Sequence, residues 1–331
     1  MSVRRWALVT GATGFVGGHL ARRLLDDGWS VRLLVRDARR LDEDLAFRTQ
    51  VVPGDLMDRG SLNRAVAGVD VVFHCAANVA TWGVWADYAD VNITGTEKLL
   101  AAISAETPHL LRLVHLSTVD VYGYPDSPAD ETRELSNAGF GYGESKRLGE
   151  AAVRQWAETS GIPTVILRPC NIIGPGSQFI ERIGKELQSG LMITIGGGRA
   201  HAGLLHVGNL IDRMLWAAEA PVAVGRTYNV RNAEDMTWAE FLRQFKAAIK
   251  GRGMVLPLSY GLAETAARGF EAVHRVIAPR HEPLLHRLIV RMFGKTCGHS
   301  PERILADSGM ADRVGLTESI AQSAKWYLGR G

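Results

Sequence analysis

The 331-residue sequence has few of the features that mark secreted, metal-binding or membrane-spanning proteins. Its three cysteines, Cys75, Cys170 and Cys297, lie far apart without a CxxC pair, so we expect reduced thiols, no bound metal and a cytoplasmic location. No run reaches the roughly 18 uncharged apolar residues of a membrane-spanning helix, and no signal-peptide pattern precedes the first predicted strand. The formal net charge is only +3 and the basic residues are dispersed, which argues against a nucleic-acid partner.

The first half of the sequence alternates short apolar runs with longer helical segments, a pattern typical of βαβ units in a parallel sheet. Strands are predicted at 7–10, 31–35, 50–52, 69–73, 111–116 and 164–167, and helices at 17–27, 58–67, 92–106 and 142–160. The fold class is therefore predicted to be α/β, a Rossmann-type doubly wound parallel sheet with a smaller, mostly helical C-terminal lobe.

Beyond about residue 169 this rhythm breaks at glycine-rich loops. We assign residues 1–176 to a dinucleotide-binding domain, to which 199–232 returns through a helix at 206–218 and a short strand at 227–230. Residues 177–198, with a β-like run at 192–195, and residues 233–331 are predicted to form the substrate-binding lobe.

A glycine-rich turn between the first strand and helix is suited to a dinucleotide phosphate. Glycines at 11, 14 and 17 allow a tight turn, close approach of the backbone to pyrophosphate, and close helix packing. The spacing is GxxGxxG rather than GxGxxG. Residues of this turn predicted to contact the cofactor are Gly11, Thr13, Gly14, Phe15 and Val16.

The end of the second predicted strand bears on which nicotinamide cofactor binds. Valine occupies the position usually taken by an acidic ribose-binding residue, and Arg36 follows it, which suits a 2′-phosphate. NADP(H) is therefore favoured over NAD(H), although Asp37 could still reach the ribose. After the third strand, Asp55 and Leu56 are predicted to contact adenine, with capping of the next helix as the alternative for Asp55.

The candidate catalytic residues are a tyrosine and lysine on one helix, two hydroxyl residues after a strand, and one asparagine. Tyr142 and Lys146 share a helix face at i and i+4, so the lysine is expected to lower the pKa of the phenol and make it a general acid/base. Ser117 and Thr118 follow a central strand, at the edge where open α/β sheets bind ligands. Asn92 is either a helix cap or the anchor of a water-linked proton path. His74 and His206 are expected to be packed, hydrogen-bonded residues.

From Trp6 to about Asn232 the chain resembles the extended short-chain dehydrogenase/reductase family. The motifs that carry the resemblance are Thr10–Gly17, Gly54-Asp55-Leu56, His74-Cys75-Ala76-Ala77, Val91–Thr96, Ser117–Gly123, Tyr142–Lys146, Leu167–Asn171 and His206–Leu210. Weaker echoes continue in 301–328, where 311–328 resembles the closing helix of the family.

The resemblance implies a role for each matched residue. Tyr142 would be the general acid/base, Lys146 would bind the nicotinamide ribose, and Thr118 would hold the substrate oxygen. Other positions implied to lie along the cofactor are Ala76, Ala77, Ser117, Pro169 and Asn171. Pairing through the helices that begin near 92 and 142 would give a homodimer.

Within the family, the sequence favours a branch that acts on hydrophobic substrates. Val119-Asp120 stands where sugar-nucleotide dehydratases have Asp-Glu, and the segment 76–88 resembles the 3β-hydroxysteroid dehydrogenase-like and dihydroflavonol reductase-like branch. Trp82, Trp85 and Tyr88 would offer apolar surface to a steroid-, flavonoid- or β-keto acid-like alcohol or ketone, or they would pack the core. The alternatives are a nucleotide-sugar epimerase or reductase, and a catalytically silent cofactor sensor.

The segment 273–295 mixes apolar and cationic residues in an amphipathic pattern. It is predicted either to cover the substrate or to make peripheral contact with a membrane surface. A lid is favoured because Pro279 and Pro283 interrupt any long surface helix.

Overall fold

The protein, described by a computed structural model over residues 5–137 and 139–330, is built on a seven-stranded sheet. The strands of the described chain are β1 Trp6–Thr10, β2 Ser30–Val35, β3 Gln50–Pro53, β4 Val71–His74, β5 Arg112–Leu116, β6 Thr164–Pro169, β7 Asn171–Ile173, β8 Leu191–Ile195, β9 Leu204–His206, β10 Thr227–Val230 and β11 Met254–Leu258. The large sheet has the order β10-β6-β5-β4-β1-β2-β3, and each neighbouring pair is parallel. The predicted fold class is confirmed.

The helices are α1 Phe15–Asp26, α2 Glu43–Arg48, α3 Arg59–Val66, α4 Trp85–Ala89, α5 Gly95–Glu106, α6 Gly141–Ser160, α7 Gln178–Ser189, α8 Val207–Glu219, α9 Trp238–Ala248, α10 Tyr260–Ile277, α11 Arg287–Gly294, α12 Glu302–Ser308 and α13 Leu316–Leu328. Among the described residues, none of these combines the length and apolar character needed to cross a bilayer. The helix predicted at 92–106 begins instead as a π-helical turn, Asp90–Thr94, which continues into α5.

The central strands of the large sheet are mostly apolar because both faces of the sheet are covered. Val9 and Phe73 belong to the core on one face, whereas their neighbours Leu8 and Val72 belong to the core on the other. Successive side chains of a strand point to opposite faces, so a strand buried on both sides shows no polar alternation.

A second core lies in the C-terminal lobe and is built around Trp238 at the start of α9. The indole packs on Phe293 with ring centroids 4.3 Å apart, and its Nε1 donates to the carbonyl of Met292 at 3.1 Å. Thr237 and Glu240 form a reciprocal capping box that fixes where α9 begins. This lobe also contains the parallel pair β8 and β11.

One short helix lies with the first core rather than with the lobe to which the sequence analysis assigned it. Ile304 of α12 is buried in the core beside β10, and Asp307 accepts hydrogen bonds from Tyr228 and Arg226. The reason is that β10 is an edge strand whose outer face needs a cover.

Candidate active site

The glycine turn after β1 has the geometry that an anionic group requires. Gly11 has a φ of +76°, and a Cβ there would lie 2.8 Å from the backbone nitrogen of Ala76. A Cβ on Gly17 would lie 2.4 Å from the carbonyl oxygen of Gly11. Gly14 caps α1 without a side-chain hydrogen bond, and the first turn contains no acidic residue. The backbone N–H groups at the start of α1 are thus available to phosphate oxygens, so this cradle fits a dinucleotide.

The other predicted contacts of the turn surround this cradle. Thr13 is exposed, whereas Phe15 and Val16 are half-buried in the first turn of α1. Ala76 and Ala77 directly follow β4 and are half-buried, with the nitrogen of Ala76 donating to Thr10 Oγ1 at 3.2 Å.

At the end of β2, the structure separates the two candidate ribose contacts. Arg36 is exposed and its Nε lies 3.9 Å from the carboxylate of Asp55. The Asp37 carboxylate instead accepts from the backbone nitrogen and the guanidinium of Arg39, with an ion-pair distance of 2.9 Å. The carboxylate of Asp37 is therefore ion-paired with Arg39, whereas the side chain of Arg36 is largely exposed to solvent.

The third strand leads into a turn that holds Asp55 and Leu56. Asp55 Oδ1 accepts from the nitrogen of Met57 at 2.8 Å, and Leu56 is buried. The cap of α3 is Asp58, so the capping role considered for Asp55 is wrong. Capping is taken by Asp58 because it stands immediately before the first helical residue.

Tyr142 and Thr118 come together at the carboxyl end of β5. Tyr142 lies in the first turn of α6, and its phenol interacts with the Thr118 hydroxyl. Thr118 is buried and caps the 3-10 turn Val119–Tyr122, where its Oγ1 accepts from the nitrogen of Asp120 at 3.2 Å. Its rotation is thereby restricted.

Lys146 is buried one turn further along α6. Its Nζ donates to the carbonyl oxygen of Leu116, the last residue of β5, at 2.6 Å. Burial lowers the pKa of Lys146 to about 8, although the charge of Glu150 raises it. The ammonium is consequently still mostly charged at neutral pH.

The expected effect of Lys146 on the phenol is not what this geometry gives. The pKa of Tyr142 is raised above its usual value, first by burial and then by the nearby charge of Asp120, while the Thr118 hydrogen bond lowers it. The i,i+4 spacing does put both groups on one helix face, but each has found a different partner. The phenol faces Thr118 and the ammonium faces the strand-end carbonyl.

The i,i+4 series continues to a residue that the sequence analysis missed. Glu150 is fully buried, accepts from Ser117 Oγ at 2.7 Å, and is held by Arg168 at 2.5 Å and 3.0 Å. Arg168 also donates to the hydroxyl of Tyr122 at 2.6 Å. Spacing was the available signal, because Tyr142, Lys146 and Glu150 follow each other at four-residue intervals on α6. Ser117 is thus tied to a buried ion pair.

Asn92 has no capping role, since it lies within the π-helical turn and not before it. Its Oδ1 accepts from the nitrogen of Asn78 at 2.8 Å, and its Nδ2 donates to the Asn78 carbonyl and to Ser145 Oγ. Its carbonyl faces Gly149, where a Cβ would lie only 2.2 Å away. The amide therefore fixes the loop after β4 against α6.

Pro169 and Asn171 lie where β6 gives way to β7. Pro169 is buried at the end of β6, and Asn171 Nδ2 donates to the carbonyl of Ala202 at 2.6 Å. Both stand at the carboxyl edge of the sheet, on the side of Thr118 and Tyr142.

The loop 278–286 between α10 and α11 rests on the loop that follows Ala77. Trp82 Nε1 donates to the carbonyl of Pro279 at 2.9 Å, and Thr81 donates to Glu282 at 2.7 Å. The three aromatics of this region differ, as Tyr88 is buried against Gly141, Trp85 is exposed, and Trp82 lies beside His286 at 5.6 Å. The interruption expected at the two prolines is confirmed, because α10 ends at Ile277.

The chain also matches a known protein family over most of its length. The model of the NAD dependent epimerase/dehydratase family matches residues 7–230. The chain belongs to this family.

Two relatives are similar to the chain in sequence, and one solved structure is similar to it in fold. It is 30% identical over 92% of both chains to the 4-hydroxy-2-methyl-3-oxo-4-farnesyl-3,4-dihydroquinoline-1-oxide ketoreductase of Stigmatella aurantiaca. It is 31% identical to the 3 beta-hydroxysteroid dehydrogenase/Delta 5-->4-isomerase of Mycobacterium tuberculosis, covering 84% of this chain and 79% of the relative. The fold is similar to that of the UDP-glucose 4-epimerase of Thermus thermophilus in complex with NAD, with a TM-score of 0.76, 23% identity, and coverage of 98% and 100%. This family member is an NAD(P)-dependent oxidoreductase of the extended short-chain dehydrogenase/reductase type.

Both histidines singled out in the sequence are packed in this enzyme, as expected. His74 is buried and bonded through its two ring nitrogens to Thr10 at 2.8 Å and Thr96 at 3.0 Å, and burial lowers its pKa to about 3. His206 accepts from the nitrogen of Gly208 as the cap of α8, and burial lowers its pKa to about 4.

A second carboxyl group lies near the tyrosine of this family member. Gly143 of α6 packs on Asp120. A Cβ added to Gly143 would lie 3.5 Å from the Cβ of Asp120. Burial raises the pKa of Asp120 to about 6, while interaction with Tyr124 lowers it. Other titratable groups that sense the Asp120 charge are Tyr142, Cys170 and Cys297. Tyr124 itself has a φ of +62° and a buried hydroxyl without a well-formed hydrogen bond in the described residues.

Replacement of Asp120 by asparagine should shift the pH dependence of alcohol oxidation to lower pH. Above about pH 6 the carboxylate is charged and raises the pKa of Tyr142, so removal of the charge makes the phenol easier to deprotonate. Oxidation needs the deprotonated phenol, and its rate rises as the phenol ionises. The pH profile of kcat/KM checks this, with the exposed Asp44→Asn as control. An unmoved profile would show that Asp120 does not act on Tyr142.

Proposed function

We propose that this protein is an NADP(H)-preferring ketoreductase. Its substrate would be a bulky, hydrophobic ketone, such as a β-keto compound, which it reduces to an alcohol. The observation that carries the proposal is the placement of the Tyr142 phenol beside Thr118 at the carboxyl end of β5, with Lys146 one turn behind. The nicotinamide cofactor, when bound, exchanges a hydride with the carbinol carbon. The phosphate cradle would be formed by the glycine turn and the start of α1.

The chain's own groups are suited to proton transfer towards a carbonyl oxygen. Thr118 would orient that oxygen and Tyr142 Oη would donate the proton to it, leaving a phenolate. The raised pKa of Tyr142 keeps the phenol protonated at neutral pH, the state that reduction needs. Lys146, whose ammonium donates to the carbonyl of Leu116, would bind the nicotinamide ribose when the cofactor is present.

A hydrophobic substrate is supported by the surface above this site. Phe140 precedes α6 and contacts Tyr124 with ring centroids 6.1 Å apart, and Trp82 lies under the loop 278–286. The two relatives named above act, by their names, on a farnesylated quinoline and on a steroid. Positions 119–120 are Val-Asp, whereas sugar-nucleotide dehydratases have an Asp-Glu pair there. This difference also argues against a dehydration activity.

Preference for NADP(H) rests on Arg36, which is accessible while Asp37 is paired with Arg39. Arg36→Ala should raise the Kd of NADPH about tenfold, as expected for loss of one charge-assisted contact to a phosphate, and leave the Kd of NADH unchanged. Fluorescence titration with both cofactors measures this. Arg252→Ala, an exposed arginine in the second lobe, is the control. Equal weakening of both cofactors would remove the basis for the preference.

The proposed activity is tested by NADPH oxidation with a panel of ketones. The panel contains a 3-ketosteroid, a dihydroflavonol, a long-chain 3-oxoalkanoate ester, and UDP-glucose as representative of the alternative function. Turnover of at least one hydrophobic ketone, and none with UDP-glucose, is the expected result. Because epimerisation of UDP-glucose leaves the nicotinamide unchanged overall, UDP-glucose is followed separately by the formation of UDP-galactose. That conversion, without NADPH oxidation by any ketone, would favour the epimerase alternative. Cofactor binding without any turnover would favour a sensor. Homodimer formation through α5 and α6 stays a prediction.

A further inference from the structure

An exposed apolar face runs along α10, and it is the reverse of what a surface helix normally shows. The helix buries small or polar residues, Ala263, Ala267 and Glu271, against the protein. The large apolar residues on its other side are Leu262, Phe270, Val273, Val276 and Ile277, of which Val276 is 84% exposed and Ile277 78% exposed. We call these five residues the α10 apolar face. An exposed apolar patch of this kind marks an interaction surface.

Helical spacing places these residues on one side. At about 100° per residue, positions 262, 270, 273, 276 and 277 fall within about 120° of one another around the helix axis. Leu284, in the loop after the helix, is also 78% exposed.

Cations flank this face and are only partly neutralised. Arg268 and Arg275 are mostly exposed and lie 3.4 Å and 3.7 Å from Glu264 and Glu271. Each of these glutamates is shared with an arginine of α11, at 3.5 Å and 2.8 Å. The four arginines at 268, 275, 287 and 291 share these two glutamates, so this region retains positive charge, whereas Arg280 and Lys295 pair with Asp87 and Asp126. Apolar side chains bordered by arginines complement an anionic lipid surface.

The helix is held rigidly and lies close to the reaction site. Glu271 accepts from the backbone nitrogen and Nε of Arg287 at 2.6 Å and 2.8 Å, which joins α10 to α11. Arg287 in turn lies over the ring of Phe140, immediately before the helix that carries Tyr142. The loop 278–286 contacts Trp82. A bilayer on the α10 face would therefore lie on the part of the second lobe that contacts Phe140 and Trp82.

We propose that the α10 apolar face and its arginines bind reversibly to an anionic membrane surface, from which an apolar substrate reaches the site. The inference concerns binding alone, so it can fail or hold independently of the proposed ketone reduction.

The test is co-sedimentation of the full chain with vesicles of phosphatidylcholine containing 30% phosphatidylglycerol (about one anionic lipid in three), compared with pure phosphatidylcholine. Wild-type protein should bind the anionic vesicles, and binding should weaken as salt screens the arginines. V276S/I277S and R268Q/R275Q should each reduce the vesicle partition coefficient at least tenfold. Phe47→Ser, which changes a 92% exposed residue elsewhere on the surface, should leave it unchanged.

Two controls separate membrane binding from a change in catalysis and from self-association. Oxidation of NADPH with a water-soluble ketone should be the same in all four proteins, because none of the changed residues belongs to the reaction site. Absence of binding to anionic vesicles would overturn the proposal. So would a concentration-dependent dimer in gel filtration that V276S/I277S abolishes, because a second copy would then cover the face.

Discussion

Replacing Tyr142 with phenylalanine should lower kcat for ketone reduction by about 10²- to 10⁴-fold, the usual contribution of a positioned general acid. Only the hydroxyl near Thr118 is removed, and the ring keeps its place in the first turn of α6. The Kd of NADPH should therefore stay within about twofold of the wild-type value, which corresponds to less than about 0.5 kcal/mol. Stopped-flow measurement of a single turnover separates this loss from any change in product release.

Tyr327→Phe is the matched control for that experiment. It removes a tyrosine hydroxyl that bonds Gln188 at 2.7 Å on the surface of the second lobe. If Y142F and Y327F had similar turnover, proton donation would have to come from another group, and Asp120 would be the first to examine because it carries a pKa of about 6 beside the phenol.

Removal of Glu150 should have the largest effect on stability. Glu150→Gln keeps the shape of the side chain but leaves Arg168, which is 2% exposed, without its carboxylate partner. Breaking a buried pair by removing one partner typically costs about 3–5 kcal/mol, because the remaining charge is buried and unpaired. Urea denaturation monitored by tryptophan fluorescence should report this loss.

The exposed pair Arg5 and Glu219, at 2.6 Å with both side chains more than half exposed, supplies the comparison. Glu219→Gln should change the free energy of unfolding by less than about 1 kcal/mol, since solvent screens a surface pair. Comparable losses in the two variants would mean that the Glu150 network is not the structural anchor inferred from its burial.

The pH dependence of the Glu150 contribution has a defined direction. Burial alone would raise the pKa of this carboxyl, but Arg168, Arg154 and Ser117 together lower it below the ordinary 4.5. A depressed folded-state pKa stabilises the protein above the unfolded pKa, and this stabilisation is lost as the pH falls through the folded value. The difference between wild type and Glu150→Gln should accordingly shrink below about pH 4.5.

Much of the sheet was predictable because its strands are buried on both faces. The mainly apolar runs at 7–10 and 164–167 need no partner information to be recognised, and Gly11 and Pro163 mark where they end or begin. The tight turn at glycines 11 and 17 was equally predictable, since no residue with a Cβ fits at either position. These are local properties of the chain.

The partners of the polar groups could not be predicted in the same way. Spacing put Tyr142 and Lys146 on one face of a helix, but only the approach of β5 to α6 decides that the phenol meets Thr118 and the ammonium meets the carbonyl of Leu116. The π-helical turn at Asn92 lies against Gly149, a contact between distant parts of the chain that local patterns do not reveal.

The sequence by itself determined the order of strands and helices, the glycine cradle and the positions of the strand-end hydroxyls. Tertiary packing decided which side of α10 is buried. Periodicity alone would bury the side with the larger apolar residues, but that side faces solvent. Close packing of α10 beside α11 favours the small side chains of Ala263 and Ala267, so the larger Val276 and Ile277 are left on the surface.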